Sequence, residues 1–464
     1  MGKVDVKKRI APPLGLAYLA AYLEAHMKDL GIEILDTVIE GYEREESANE
    51  YSTNIGLSWN EIYAHIEACR PDLVGIYAGG TDQSENAHQL AGIVKSYDKG
   101  ILTVMGAVYP TTEPERALSD ENVDFIVLGE GEETFYKAIK DLNDGGTLRD
   151  LSALQGICAR DGDQVLMNKN YGFLQGIESL PFPARDKLRM NDYLYAPLSY
   201  RFGPKRKPHT SIITSRGCPA RCIFCEAHLM VGRKYRENSP EKVLKEIDVL
   251  VNEYKVKELA FLDDNLTLDK KRTAGILDGL IARGYDLEWM TPNGVALYAL
   301  DKDMIFKMKE AGCYQVNLAF ESGNQHVLDK IIGKPLKLEK ARQVSGWCKE
   351  AGMETIGMFV IGFPGETLLQ MEETVRFAEE VDCDYVSFSL ATPYPGSRLH
   401  ALCSERGYLV DGWYENLVFG FGKGCIKTHD FTPEDVLRVR KDAWKRINFE
   451  NPSKRRTVEE FLSR

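Results

Sequence analysis

The sequence predicts an α/β protein: two parallel-sheet halves in series, followed by a small α-helical C-terminal segment. Three observations predict it. From residue 10 to about 140, short apolar runs alternate with helical patterns. After a stretch that breaks this rhythm, six more strand–helix pairs follow from His209. The strands of both halves run into polar or glycine-containing turns, at the carboxyl ends where parallel sheets hold ligands.

A chain of 464 residues allows two or three domains. The pattern divides it at 1–141, a linker at 142–205, a barrel at 206–400 and a terminal segment at 401–464. The net charge of −12 argues against a nucleic-acid partner. No apolar run is long enough to span a membrane, and no signal peptide opens the chain. Three of the ten cysteines cluster, and the rest are scattered, mostly in apolar patterns. That usage predicts a reducing, cytoplasmic setting.

In the first half, a helix is expected from Pro13-Leu14-Gly15 to about Met27, and a strand from Gly31 to Ile39. A helix follows at Trp59 to Cys69. Leu73 to Ala78 reads as a buried strand ending in Gly79-Gly80-Thr81, with a helix over Ser84 to Ser96. Ile101 to Gly106 and Val123 to Leu128 are the next strands. They end in Gly106-Ala107-Val108-Tyr109 and in Gly129-Glu130-Gly131, and the second of these turns opens a helix. Glycine lets backbone approach a large flat ligand. The plainer reading is that these turns only shape strand-to-helix connections. His88 reads as a solvated helix histidine.

The linker carries a hairpin signal, Asp161-Gly162-Asp163, between Leu154 to Arg160 and Gln164 to Asn168. A proline-stiffened stretch, Leu180 to Arg185, follows it. The barrel strands are expected at Thr210 to Ser215, Glu258 to Asp263, Leu287 to Thr291, Gln315 to Phe320, Thr355 to Ile361 and Tyr385 to Leu390. Ser239-Pro240 opens one of the helices between them, Ser as N-cap and Pro at the first helical position. Six units make a partial (β/α)6 barrel. The terminal segment places Trp413, Tyr414, Phe419 and Phe421 in a Gly-containing loop ahead of helices. It reads as a packing segment or as a cap shaping a pocket.

The first barrel strand runs into Ser215-Arg216-Gly217-Cys218-Pro219-Ala220-Arg221-Cys222-Ile223-Phe224-Cys225. Cysteines at i, i+4 and i+7 can turn three thiolates towards one point, and soft ligands suit iron or zinc. A closed zinc site wants a fourth ligand, and His228 alone is a poor one. Three ligands and an open corner suit a 4Fe-4S cluster.

This string resembles the radical S-adenosylmethionine (radical SAM) signature. The resemblance spans roughly residues 10 to 410. It implies that Cys218, Cys222 and Cys225 hold a 4Fe-4S cluster and that Phe224 packs on adenine. Leu262-Asp263-Asp264-Asn265 resembles the segment that meets the methionine amino group. Ala319-Phe320-Glu321-Ser322-Gly323 resembles the one that meets ribose and carboxylate. Ile361-Gly362-Phe363-Pro364-Gly365 resembles the one that lies against adenine.

The first half resembles the flavodoxin-like, cobalamin-binding domain that precedes many radical SAM barrels. Ala11-Pro12-Pro13-Leu14-Gly15-Leu16, the three strand ends and the Gly-Glu-Gly-Glu turn carry this. The implied contacts are Leu14, Gly79, Gly80, Thr81, Gly106, Val108, Tyr109, Gly129, Glu130 and Gly131. The Asp-x-His-x-x-Gly pattern that supplies an axial histidine elsewhere is absent, so cobalamin is expected to carry no protein histidine on its lower face. The family's first strand has only Val4-Asp5-Val6 to stand for it here.

The resemblance implies reductive cleavage of SAM to a 5′-deoxyadenosyl radical, with C-methylation of an unactivated carbon in a small-molecule, lipid or pigment substrate. A low-potential donor such as flavodoxin or ferredoxin is implied with it. A radical cyclase, oxidase or rearrangement enzyme of this architecture is the alternative. A cobalamin-binding sensor or carrier is the alternative from another class. A methylthiotransferase lacks its second three-cysteine set and basic tail here.

Overall fold

The computed structural model describes residues 10–47, 53–196, 203–417, 423–450 and 452–463. Val4-Asp5-Val6, Phe419 and Phe421 lie outside them. The chain forms two compact units. Pro12–Met190 with Glu226–Gly232 make the body of one, and Asn191–Cys225 with Arg233–Arg464 the body of the other.

The first unit holds a five-stranded sheet. Its order is Leu73–Tyr77, Leu102–Gly106, Phe125–Val127, Ile157–Asp161 and Gln164–Leu166. The first three strands run parallel and the last two are antiparallel. The hairpin read from Asp161-Gly162-Asp163 therefore extends the N-terminal sheet. Phe125, Ile126 and Val127 are buried on both faces, as a parallel strand covered by helices must be. The crossover helix Ser84–Tyr97 buries Ala87, Ala91 and Val94. Trp59–Cys69 begins with a capping box, in which Ser58 accepts from the Glu61 N–H and Glu61 answers to the Ser58 N–H.

The strand expected at Gly31 to Ile39 is not formed. Residues 31–36 are irregular, and Thr37–Glu40 is a short helix. The alternation of Ile32 and Ile34 mimics a strand, but these side chains pack against Ala20, Ala21 and Ala184 without a paired neighbour. Asp36 then accepts from the Val38 and Ile39 N–H groups and starts the helix.

The second unit is an open sheet of six parallel strands in sequential order: His209–Ile212, Glu258–Phe261, Glu288–Thr291, Cys313–Glu321, Glu354–Ile361 and Tyr385–Leu390. All six expected strands are present. The helix after Ser239 is capped as read, with the Ser239 hydroxyl accepting from the Lys242 N–H at 3.2 Å.

Helix Pro433–Asn448 packs on the last strand. There the Asn448 side chain accepts from the Val386 N–H at 3.0 Å and donates to its carbonyl at 2.8 Å. It thereby satisfies backbone groups that an edge strand would leave bare. Val458 and Phe461 bury against Ile356 and Tyr385. These contacts pack the terminal helices on the last strands of the sheet. No helix among the described residues is long and apolar enough to cross a membrane.

Candidate functional site: a three-cysteine loop at the barrel strand ends

Each polar motif falls where a parallel barrel strand ends. The first strand passes through Ser215–Arg216, which pairs antiparallel with Arg236–Glu237. The chain then turns at Gly217, whose φ of +90° a side chain would strain. Backbone bonds tie the loop to two other segments and close it on itself. The Ile223 N–H donates to the Ile332 carbonyl at 2.8 Å, the Leu399 N–H to the Ile223 carbonyl at 2.9 Å, and the Cys225 N–H to the Cys222 carbonyl at 3.2 Å.

The loop is also tied from below. Asp263, buried at the end of the second strand, accepts from the Thr214 N–H at 3.1 Å, from the Thr214 hydroxyl at 2.6 Å and from the Ser215 hydroxyl. Arg272, also buried, donates to the Thr214 carbonyl at 2.8 Å, to the Thr214 hydroxyl at 2.7 Å and to the Asn238 carbonyl at 2.7 Å. Burial pushes the Asp263 carboxyl up, and the Arg272 charge pulls it back. Asp263 thus spends its oxygens on the loop. Asp264 beside it is exposed at the strand end. Desolvation by the protein around it, then the Asp263 charge, pushes its carboxyl up to about 6.

Cys218, Cys222 and Cys225 are half-buried, and none is in a disulfide. Burial pushes the Cys222 thiol up to about 12, and the Lys334 ammonium opposes that. Asn265 donates its amide N–H to Cys218 Sγ at 2.7 Å. Three soft donors on one short loop, with an N–H aimed at one sulfur and a cation nearby, fit a cluster held by three cysteines. Arg272 and Lys334 carry no signal in the sequence, and Asn265 reads there only as part of the segment that meets the methionine amino group, because its partner Cys218 lies 47 positions away.

Glu321 ends the fourth strand at φ +66°, next to a register shift in its pairing with the fifth. A non-glycine residue held there stores strain, as functional positions often do. Its carboxylate receives Lys334 Nζ at 2.8 Å, and both side chains are nearly buried. Ser322 points inward, sharing a 3.0 Å hydrogen bond with the Thr374 hydroxyl. Replacing Glu321 by Ala leaves the Lys334 ammonium unpaired and removes a charged acceptor. The expected cost is roughly 3 kcal/mol of stability and about 10- to 100-fold in SAM affinity, with iron content unchanged. Denaturant melts and equilibrium binding check it, and SAM affinity equal to the parent's would remove Glu321 from the site.

After the buried Ile361, Gly362 and Phe363 donate their N–H groups to Glu366 Oε2 at 2.8 and 3.1 Å. The Phe363 ring sits 5.8 Å from that of Phe224 on the cysteine loop. Glu366 is fully buried, and burial pushes its carboxyl up to about 7 although the two N–H groups favour the anion. Its neutral form is the stable one inside, so its contribution is full below the unfolded value of 4.5 and is lost as pH rises to about 7. Glu366→Gln keeps an acceptor and carries no charge. It is expected to remove about 3 kcal/mol of that pH-dependent loss, read as the difference between parent and variant stability at pH 5 and pH 8. Parallel pH profiles would overturn it.

In the first unit, three strand ends lie on one edge of the sheet. The Ala78 N–H donates to the Gly106 carbonyl and the Tyr109 N–H to the Ala78 carbonyl, both at 3.1 Å. A Cβ on Gly106 would meet nothing within 4 Å, so this turn leaves open space above it. Gly79 lies under the ring of Tyr77, itself 53% exposed at the strand end. Val108 is half-buried. Open backbone beside an exposed ring fits a large flat ligand.

The other predicted residues are turned inward. Leu14 is buried in its helix. The Thr81 hydroxyl donates to Glu113 at 2.8 Å, and Glu130 accepts from the Leu174 N–H at 2.9 Å. A Cβ on Gly131 would press on Leu19. Gly129, at φ +67°, has the ring of Tyr171 where a Cβ would stand, 2.8 Å away.

The solvated reading of His88 is corrected. Its Nδ1 is 2.8 Å from Asp120 Oδ2 and its Nε2 is 2.8 Å from the hydroxyl of fully buried Tyr109. With both ring nitrogens engaged, His88 positions Tyr109 and has none left for a metal. Glu226, at the head of helix Ala227–Val231, was not anticipated either. Burial, then the charges of Glu113 and Asp82, pushes its carboxyl up to about 7.

Residues 212–378 match the model of the radical SAM superfamily, and residues 4–139 match that of the B12 binding domain. The chain belongs to the radical SAM enzymes that carry a B12-binding domain. It is similar to an uncharacterized methyltransferase of Pyrococcus horikoshii, 33% identical over 93% of this chain and 87% of the relative. It is also similar to the cytidylyl-2-hydroxyethylphosphonate methyltransferase of Streptomyces wedmorensis, 31% identical over 86% and 79%. Among solved structures it shares the fold of the radical SAM methyltransferase TsrM of Kitasatospora setae, seen with cobalamin and a 4Fe-4S cluster bound. That match has a TM-score of 0.67 at 18% identity, over 86% of this chain and 72% of that one. The chain is an enzyme, and its relatives of 30% identity or more named here are methyltransferases.

Proposed function

We propose that the protein transfers a methyl group to an unactivated carbon of a small biosynthetic substrate. The observation that carries this is the three-cysteine loop at the head of six parallel strands, in one chain with a B12-type sheet whose edge is open at Gly106. Bound there, a 4Fe-4S cluster, SAM and cobalamin supply radical formation and a transferable methyl group.

The chain's own residues hold and orient. Cys218, Cys222 and Cys225 ligate the cluster. Asn265 donates an N–H to one ligand sulfur, which stabilises its negative charge. Glu321 offers a carboxylate to ribose hydroxyls, and Asp264 an acceptor to the methionine ammonium. Phe224, backed by the buried ring of Phe363, offers aromatic surface to adenine, while Glu366 holds the backbone of that turn. In the first unit the open turn at Gly106 would bring backbone against the corrin, and His88 fixes Tyr109 just after that turn. A low-potential flavodoxin or ferredoxin in a reducing cytoplasm is the proposed electron source. An intact cysteine loop with these strand-end motifs favours an enzyme over a sensor or carrier.

The test is anaerobic reconstitution with iron, sulfide and cobalamin, followed by SAM labelled in its methyl group. About one cobalamin per chain, a filled cluster and loss of the label from SAM under reduction are expected. A chain that fills its cluster and takes up no cobalamin would overturn the proposal.

A further inference from the structure

Away from both strand-end edges, one surface cluster combines an imidazole, a thiol and a carboxylate. His65 and Cys69 stand at i and i+4 in helix Trp59–Cys69, so their side chains share a face. Glu33, from the irregular stretch at residues 31–36, brings its carboxylate 3.0 Å from His65 Nε2. One ligand atom from each residue, nitrogen, sulfur and oxygen, lies within 4.8 Å of the other two. We propose that Glu33, His65 and Cys69 bind one zinc-class divalent cation, with water as its fourth ligand.

The donor set selects the ion. One thiolate is too few for an iron–sulfur cluster, and a thiolate with an imidazole is a poor home for calcium or magnesium. Tetrahedral zinc with bonds near 2.0 to 2.3 Å places its ligand atoms roughly 3.3 to 3.6 Å apart. The three atoms therefore need only a side-chain adjustment to close on an ion. Cys69 is the last residue of its helix, where unpaired carbonyls favour a cation.

The site also has a structural use. Residues 31–36 have no paired strand beside them, and an ion would stitch this stretch to the helix. Ligation releases one proton from Cys69 and involves no redox change.

The experiment uses the full chain with its cluster loaded, under anaerobic conditions, with zinc sulfate as the probe. Cys69 is the exposed thiol among the described residues, so its alkylation by iodoacetamide can be followed by peptide mass spectrometry. Stoichiometric zinc is expected to slow that alkylation about tenfold. After passage through a weak chelator, the parent should keep about one more zinc per chain than Cys69→Ser or His65→Ala. Iron content and melting temperature, alike in all three proteins, would show that the variants are folded and that the zinc difference does not come from the cluster cysteines. Equal alkylation with and without zinc, or equal zinc in parent and variants, would overturn the site. Cobalamin uptake does not enter either readout, so this result and the methyl-transfer result are independent.

Discussion

Replacing Cys218, Cys222 and Cys225 together by Ala should leave a folded protein with neither cluster iron nor SAM cleavage. The loss is expected to be total because the other described cysteines offer no second set of three thiolates. Cys158, Cys313, Cys348, Cys383, Cys403 and Cys425 are buried, and burial pushes their thiols up, Cys403 to about 12 and Cys425 to about 11, while the exposed Cys69 stands on helix Trp59–Cys69 of the other unit. The fold should survive because the loop's ends are fixed by Asp263, Arg272 and backbone bonds rather than by the thiols. Single replacements should each abolish cleavage as well, since two thiolates cannot hold the cluster in position. Iron and sulfide analysis with circular dichroism decides it. Iron and sulfide at the parent level in the triple variant would place the cluster elsewhere.

Gly106→Trp should cost the protein its cobalamin and spare its iron. A Cβ at Gly106 meets nothing within 4 Å, so the backbone accepts a side chain there, and an indole would occupy the space offered to the corrin. Uptake should fall at least about tenfold, with cluster absorbance unchanged. The same experiment reads the lower axial position. Electron paramagnetic resonance of the cob(II)alamin form should show no nitrogen splitting from a protein histidine, because His88 is bound at both nitrogens. Histidine splitting would refute that assignment. Parent-like uptake by Gly106→Trp would move the ligand off this edge.

What the sequence reveals of this fold follows from what repeats locally. The barrel strands are legible where burial on both faces makes an apolar run, as in Leu318 to Phe320 and Ile356 to Ile361, and elsewhere from their regular alternation with helices. The cysteine loop is legible because its chemistry is packed into eight residues. The stretch at Gly31 to Ile39 misleads for the opposite reason. Its alternation matches a half-buried strand, but strand formation needs a partner, and a pattern within one segment does not say whether one exists. The support of the site is hidden in the same way. Arg272 reaches Thr214 across 58 positions and Asn265 reaches Cys218 across 47. His88 looked solvated because Tyr109 and Asp120, which hold it, approach only in three dimensions.

The buried Asp263–Thr214–Arg272 tie has a bearing on how this protein survives air. Oxygen dissolves exposed iron–sulfur clusters, and a loop shaped only by its metal would collapse with the loss. Here the stem of the loop is anchored by Asp263, at the end of the second strand, and by Arg272, and backbone bonds hold the loop itself. A loop held in this way would remain a template without its metal, and a molecule that lost its cluster to oxygen would be recharged by iron and sulfide without passing through its unfolded state.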